Sequence, residues 1–295
     1  MKILIAYDGS ACADAAINDL PRAGLPRQAD ALIVHFQERW LPPPSSYEIV
    51  EEILVSSNSI AAQPARDKQE ESQTEIKSEY IEMLERASER LNAFFPEWTT
   101  QTLNLHGSPA REMIRHAKEW EADLIVVGSH GRTGIKRFVL GSVSQKIANE
   151  AECSVRVVRG ETWKNGSPSR LLIGLDGTNG AKAAVEETAR RMWIMGSEVR
   201  LVVAHDEPEK HYKWLCEYVE GNRKVLERAE LSVTELLEEG DPKQVIVSAA
   251  EEWGADCIFL GANDSANEFE TRLLGSVSTA VLARAHCTVE FVRKK

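Results

Sequence analysis

The sequence predicts an α/β protein of two similar doubly wound domains, each a five-stranded parallel sheet (order 3-2-1-4-5) flanked by helices. Apolar runs of strand length and an internal duplication carry that prediction. The runs 3–7, 32–35 and 124–127 do not alternate between apolar and polar residues, which is how strands covered by helices on both faces read. Helical patterns fall between them, at 11–20, in the 66–95 region, at 110–120 and at 143–150. The succession gives βαβαβαβαβ in each half, the connectivity of an open sheet with helices above and below.

The duplication is legible block by block. Lys2-Ile-Leu-Ile-Ala-Tyr-Asp8-Gly9-Ser10 returns as Arg170-Leu-Leu-Ile-Gly-Leu-Asp176-Gly177-Thr178, and Leu32-Ile-Val-His35 as Leu201-Val-Val-Ala-His205. Gly107-Ser108-Pro109 and Trp120-Glu-Ala-Asp123 return as Gly240-Asp241-Pro242 and Trp253-Gly-Ala-Asp256. Leu140-Gly141-Ser142-Val143-Ser144 and Cys153-Ser-Val-Arg-Val-Val-Arg159 return as Leu274-Gly275-Ser276-Val277-Ser278 and Cys287-Thr-Val-Glu-Phe-Val-Arg293. Two copies of this size predict two domains, 1–160 and 168–295, separated by a loop at 160–168.

The copies differ in length at one place. Asp8 and Asp176 are 168 positions apart, but Gly141 and Gly275 only 134. The first half therefore carries 34 extra residues between its second and third strands. They include the turn-rich Pro42-Pro43-Pro44-Ser45-Ser46 and an acidic helix with Tyr80, Leu84, Ala87, Leu91 and Phe94 at helical spacing. A cover over the sheet is the simpler reading of that helix, and a partner-binding lid the other.

Charge and composition exclude several classes. The 35 Lys and Arg against 46 Asp and Glu give a net charge of −11, which disfavours nucleic acid and anionic membranes as partners. No apolar run approaches the roughly 20 residues of a membrane span, and the first eight residues turn polar too soon for a signal peptide. The 5 cysteines form no C-x-x-C pair, so a reduced, cytoplasmic protein is expected.

Open sheets of this type take ligands in the crevice outside the carboxyl ends of their strands. Gly128-Ser129-His130-Gly131 ends the fourth strand, and Gly141-Ser142 follows 10 positions after Gly131. Glycines allow close approach of backbone to ligand. Gly141-Ser142-Val143-Ser144 then opens a helix, whose first N–H groups lack intrahelical partners and attract phosphate. Arg132, Lys136 and Arg137 in the intervening loop favour an anion. Asp8, at the end of the first strand, would repel a bare phosphate and reads as a ligand to a bridging Mg²⁺. Each feature also has a plain structural reading. The glycines could make turns, Ser142 could be an N-cap, Asp8 could cap the first helix, and His35 and His205 could be satisfied strand-end residues.

Gly128-x2-Gly131-x9-Gly141-Ser142, with Asp8 at the end of the first strand, closely resembles the signature of the universal stress protein family in its tandem form. The resemblance covers nearly the whole chain outside 40–65. It implies an ATP-binding protein, with ADP or AMP as alternatives, lacking strong catalytic activity and pairing its domains through their last strands; a homodimer stays open. Carried over by position, it implies that Ala6 and Phe36 line the adenosine end and that Asp8 faces phosphates and Mg²⁺. It places Val127, Gly128, His130 and Gly131 along ribose and phosphates, with Gly141, Ser142, Val143 and Ser144 holding the phosphates. The family often has proline at the position of Ala6 and a small aliphatic residue at that of Phe36, so Phe36 could stack on adenine or crowd the pocket.

The second half departs from the signature. It reads Gly261-Ala-Asn-Asp264, its loop carries Asp264, Glu268 and Glu270 against Arg272, and Gly275 lies 14 positions after Gly261 where the first half has 13. A degenerate domain that binds ATP weakly or not at all is expected there. The sequence thus predicts a cytoplasmic stress-response or regulatory protein with one competent nucleotide site. The rival is a slow ATPase or adenylyl-transferring enzyme, for which His130 alone is placed to move a proton; no P-loop, metal cluster or nucleophile triad is legible.

Overall fold

A computed structural model describes residues 1–37, 63–130, 140–159, 166–205, 208–262 and 274–294, with the backbone alone for 63–78 and 208–213. The first half runs β1 (Lys2–Ala6), α1 (Ala11–Asp19), a 3-10 turn (Leu20–Arg22), β2 (Asp30–Gln37), α2 (Gln63–Phe94), β3 (Thr99–His106), α3 (Pro109–Glu119), β4 (Leu124–Gly128), α4 (Ser142–Glu150) and β5 (Ser154–Val158). The second runs β6 (Arg170–Gly174), α5 (Asn179–Arg190), β7 (Glu198–His205), α6 (Pro208–Glu227), β8 (Ser232–Glu239), α7 (Pro242–Trp253), β9 (Cys257–Gly261), α8 (Ser276–Arg284) and β10 (Thr288–Val292). Among the described residues no helix is long and apolar enough to cross a membrane.

The strands form one sheet in the order β3-β2-β1-β4-β5-β10-β9-β6-β7-β8. Each half thus has the order 3-2-1-4-5 that the sequence predicts. Pairing is parallel within each half, while β5 and β10 pair antiparallel, with Val289 opposite Val157 and Glu290 opposite Arg156. The non-alternating runs are explained by burial: β4, β5, β9 and β10 are buried along almost their whole length. The sheet's edge strands, β3 and β8, are largely exposed or half-buried, as edges open to water are.

One apolar core spans the seam. On one face Ile125, Ile147, Val155 and Val157 join Ile258, Val281, Val289 and Phe291 in a single cluster. On the opposite face each half keeps its own core, around Ile3, Ile17 and Leu91 in the first and around Ile173, Ala184 and Phe259 in the second. The acidic helix is a cover: Met83, Leu84, Ala87 and Leu91 are buried in the first of these.

The length difference between the halves lies where the offsets put it. Asp30 to Thr99 spans 69 positions and Glu198 to Ser232 spans 34, one more than the predicted surplus. The extra position in the second half's glycine loop accounts for that one. One matched block is corrected by the register. Ala6 pairs with Val34 and Gly174 with Val202, so His35 corresponds to Val203, and His205 to Gln37. The two histidines are not equivalent. Nor is His205 satisfied as expected: its buried Nδ1 has no hydrogen-bond partner among the described residues.

Capping sets the helix starts. Ser10 caps α1 by accepting from the Ala13 N–H at 3.2 Å, and Thr178 does the same for α5 with the Ala181 N–H at 3.2 Å. Thr178→Ala is therefore expected to lower stability by about 1 kcal/mol, read by urea denaturation; an unchanged midpoint would refute the cap.

Across the opposite face of the seam runs a chain of buried charges. Arg156, fully buried, donates to Asp19 at 2.6 Å and to Glu290 at 2.7 Å. Glu290 also accepts from Arg191, which in turn pairs with Glu187 at 3.2 Å. Arg22 joins the halves a second time, with Asp256 at 2.6 Å and the Pro168 carbonyl at 2.9 Å.

Candidate functional site

In each half the chain leaves β1 or β6 toward one side of the sheet and returns through β4 or β9 on the other. The gap between those strands is the topological switch point, where such sheets leave a crevice. In the first half that crevice is a cavity of about 520 Å³, within the roughly 300–1,000 Å³ of small-molecule sites.

Ten of the sequence-predicted residues line it: Ala6, Asp8, Phe36, Val127, Gly128, His130, Gly141, Ser142, Val143 and Ser144. The remaining one, Gly131, lies outside the described residues, as do Arg132, Lys136 and Arg137 and the second half's Asp264, Glu268, Glu270 and Arg272. Phe36 borders the cavity without filling it.

Gly128 has a structural reason of its own besides the one the sequence proposed. A Cβ on Gly128 would stand 2.7 Å from the Cys12 carbonyl oxygen. The missing side chain admits the first turn of α1, on a residue that also lines the cavity. Gly261 and Gly180 make the equivalent contact in the second half, closer still, with an added Cβ only 2.0 Å from the Gly180 carbonyl carbon.

The start of α4 is partly committed and partly open. The Gly141 N–H donates to the Ser129 carbonyl at 2.7 Å, and the Ser144 hydroxyl to the Gly128 carbonyl at 2.6 Å. Those two groups brace the loop, so the donors left open at this helix start are the later amides. Gly141, not Ser142, is the N-cap, and among the described residues no side chain caps the helix there. The N–H groups of Ser142, Val143 and Ser144 occupy the first three helical positions, which have no intrahelical acceptor. They stand at the cavity wall with the positive end of the helix dipole.

Asp8 also has a structural duty. Its Oδ1 accepts the Ser10 N–H at 3.0 Å, and Asp176 repeats this with the Thr178 N–H at 3.0 Å. The turn into α1 is held by Asp8, while the cap itself is Ser10. Asp8 is the one carboxylate among the described residues lining the cavity, and no cluster of three metal-ligating side chains occurs among the described residues. A single carboxylate fits a cation held mainly by phosphate and water, not a protein cage.

His130 joins the Ser129 hydroxyl through Nδ1 at 2.9 Å. Burial first, then the charge of Arg159, hold its pKa below the ordinary histidine value. His35 is satisfied, as expected: its Nδ1 meets the Tyr7 carbonyl at 2.9 Å. It stacks on Tyr80 of α2 at 4.6 Å between ring centroids, and both rings reach the cavity. Tyr80 is a lining residue the motifs missed. Its helical spacing was legible, but not that its turn of α2 overlies the end of β2.

Fold and site define a class: paired doubly wound domains with a ligand-sized crevice at a switch point. The profile of the universal stress protein family matches residues 1–159 and again 168–293. The chain belongs to that family, with two of its domains in tandem. Universal stress protein YxiE of Bacillus subtilis is 33% identical over 158 residues, covering 54% of this chain and 98% of that protein. Universal stress protein MJ0531 of Methanocaldococcus jannaschii is 30% identical over 119 residues, 40% of this chain and 56% of that protein. A solved universal stress protein from Archaeoglobus fulgidus matches with a TM-score of 0.69 at 19% identity, over 100% of this chain and 98% of that one; at this identity the likeness is one of fold.

Proposed function

We propose that this stress protein binds an adenine nucleotide, ATP with Mg²⁺ foremost and ADP or AMP as alternatives, in a domain formed by residues 1–160. Residues 168–295 form a degenerate second domain that serves as structural partner, and the setting is cytoplasmic. The observation that carries the reading is the uncapped start of α4 facing a cavity of about 520 Å³. Two or three amide donors with a favourable dipole suit a phosphate chain, and Asp8 stands where it could share a cation with that chain. The metal would neutralise phosphate charge; Phe36 and Ala6 would border the base and ribose. Binding then acts by linkage, since a ligand held by the native state stabilises it.

Isothermal titration calorimetry of the full chain with ATP, ADP and AMP, with and without Mg²⁺, tests this. Magnesium-dependent binding with a rise in Tm is expected; no heat with any of the three at millimolar levels rejects it. Ser142→Pro is a sharper probe. Gly141 is already extended (φ −69°, ψ 145°), which a following proline requires, and proline is well tolerated at the first helical position. The variant removes one amide donor and leaves the helix. A loss of roughly 10-fold in ATP affinity is expected, the worth of one hydrogen bond to a charged group, with Ser142→Ala as control for the lost hydroxyl. Gly131→Asp, which imports the second half's residue, is expected to abolish binding. ATP turnover that vanishes in His130→Ala would favour the enzymatic reading instead.

A further inference from the structure

The residues that follow β5 and β10 are Arg159 and Arg293, equivalent positions of the repeat, and each reaches across the seam. Arg159 donates through Nη1 to the Ala285 carbonyl at 2.7 Å and through Nη2 to that of Leu282, at the end of α8. Arg293 donates through Nη2 to the Ala148 carbonyl at 2.6 Å and through Nη1 to that of Cys153 at 3.3 Å, at and just beyond the end of α4. Even the backbone is reciprocal: the Arg159 N–H meets the Thr288 hydroxyl at 3.5 Å and the Arg293 N–H the Ser154 hydroxyl at 3.1 Å. Both side chains are buried. Each half delivers a cation to the carbonyl end of the other half's last helix.

For α4 this exchange reaches the candidate site. The helix has 9 residues, a rod of about 13 Å, and its other end forms the cavity wall. Its near end is braced by Ser144 on Gly128 within the first half, its far end by Arg293 from the second. A cation at the carbonyl end complements the dipole whose positive end faces the cavity. Two anchors, one from each half, therefore set where the Ser142 and Val143 amides point.

We propose that Arg293 is a positioning residue for the first half's site, so that the second half, without a ligand of its own, sets the affinity of its neighbour. The inference rests on the nucleotide reading above. It also predicts how tightly the far end of α4 is held, which needs no ligand.

The test uses four full-length proteins: wild type, Arg293→Gln, Arg293→Lys and Arg22→Gln. The last removes a different contact between the halves, Arg22 with Asp256, that does not touch α4. ATP affinity is measured below every unfolding transition, together with amide hydrogen exchange over residues 142–150. Arg293→Gln is expected to weaken ATP roughly 3- to 10-fold and to speed exchange in α4. Arg293→Lys should recover most of the affinity, and Arg22→Gln should lose stability yet bind as wild type does. Wild-type affinity in Arg293→Gln overturns the proposal. So does an equal loss in Arg22→Gln, which would make the effect a general loosening of the seam. Arg293→Met, filling the same channel without charge, replaces the glutamine variant should that one not fold. If wild type itself binds no ATP, the nucleotide reading fails, and unchanged exchange in α4 would reject the anchoring as well.

Discussion

Glu290→Gln is expected to destabilise the folded chain by about 3–5 kcal/mol, the range for removing one partner of a buried ion pair. Glu290 is fully buried and holds two guanidiniums, Arg156 and Arg191. Neutralising it leaves those cations facing each other with only Asp19 and Glu187 to answer them. Burial alone would raise the Glu290 pKa, but Arg191 and then Arg156 outweigh it and hold the carboxyl below its ordinary range. The sign of the pH dependence follows. With the folded value depressed, this contribution is complete above the unfolded pKa of about 4.3. It is lost as pH falls through the lower folded value. Urea denaturation at pH 7 and at successively lower pH would show both effects: a large loss in the variant at neutral pH, and a shallower acid limb than in wild type. A loss under 1 kcal/mol at pH 7 would show that the charges are dispensable at the seam.

Gly261→Ala is the second large effect. The new methyl group would lie 2.0 Å from the Gly180 carbonyl carbon and 2.4 Å from the Ala181 nitrogen. Both are backbone atoms of the first turn of α5, so no side-chain rotation relieves the contact, and β9 and the helix must separate. A cost at or above the upper end of the usual overpacking range, about 3 kcal/mol, is expected. Gly128→Ala, 2.7 Å from the Cys12 carbonyl oxygen, should cost less. The difference has a simple origin: position 180 is glycine, and its first-half counterpart is Cys12, so the second half packs closer. Thermal unfolding of both variants gives the ranking, and a reversed order would contradict the packing account.

Much of this architecture was legible because its causes are local. Strands buried on both faces lose their alternation, as 124–127 does, and a doubled sequence repeats its punctuation. The sheet order, the place of the extra residues and the covering role of the acidic helix all follow from such signals. What escaped the sequence depends on what stands opposite. Gly128 looks the same whether a phosphate or a helix approaches it, and only the fold brings Cys12 there. His35 and His205 look matched in a string, but the ladder register shifts them by two positions. Tyr80 sits among core residues in the helical pattern, and only the path of α2 takes it to the cavity. The exchange of Arg156 for Glu290 between two otherwise similar blocks was visible as a difference. Its meaning required the antiparallel pairing that sets one against the other.

That antiparallel join turns the two halves head to tail. The carboxyl edge of one half's strands points away from that of the other, so the two crevices open at opposite poles of the molecule.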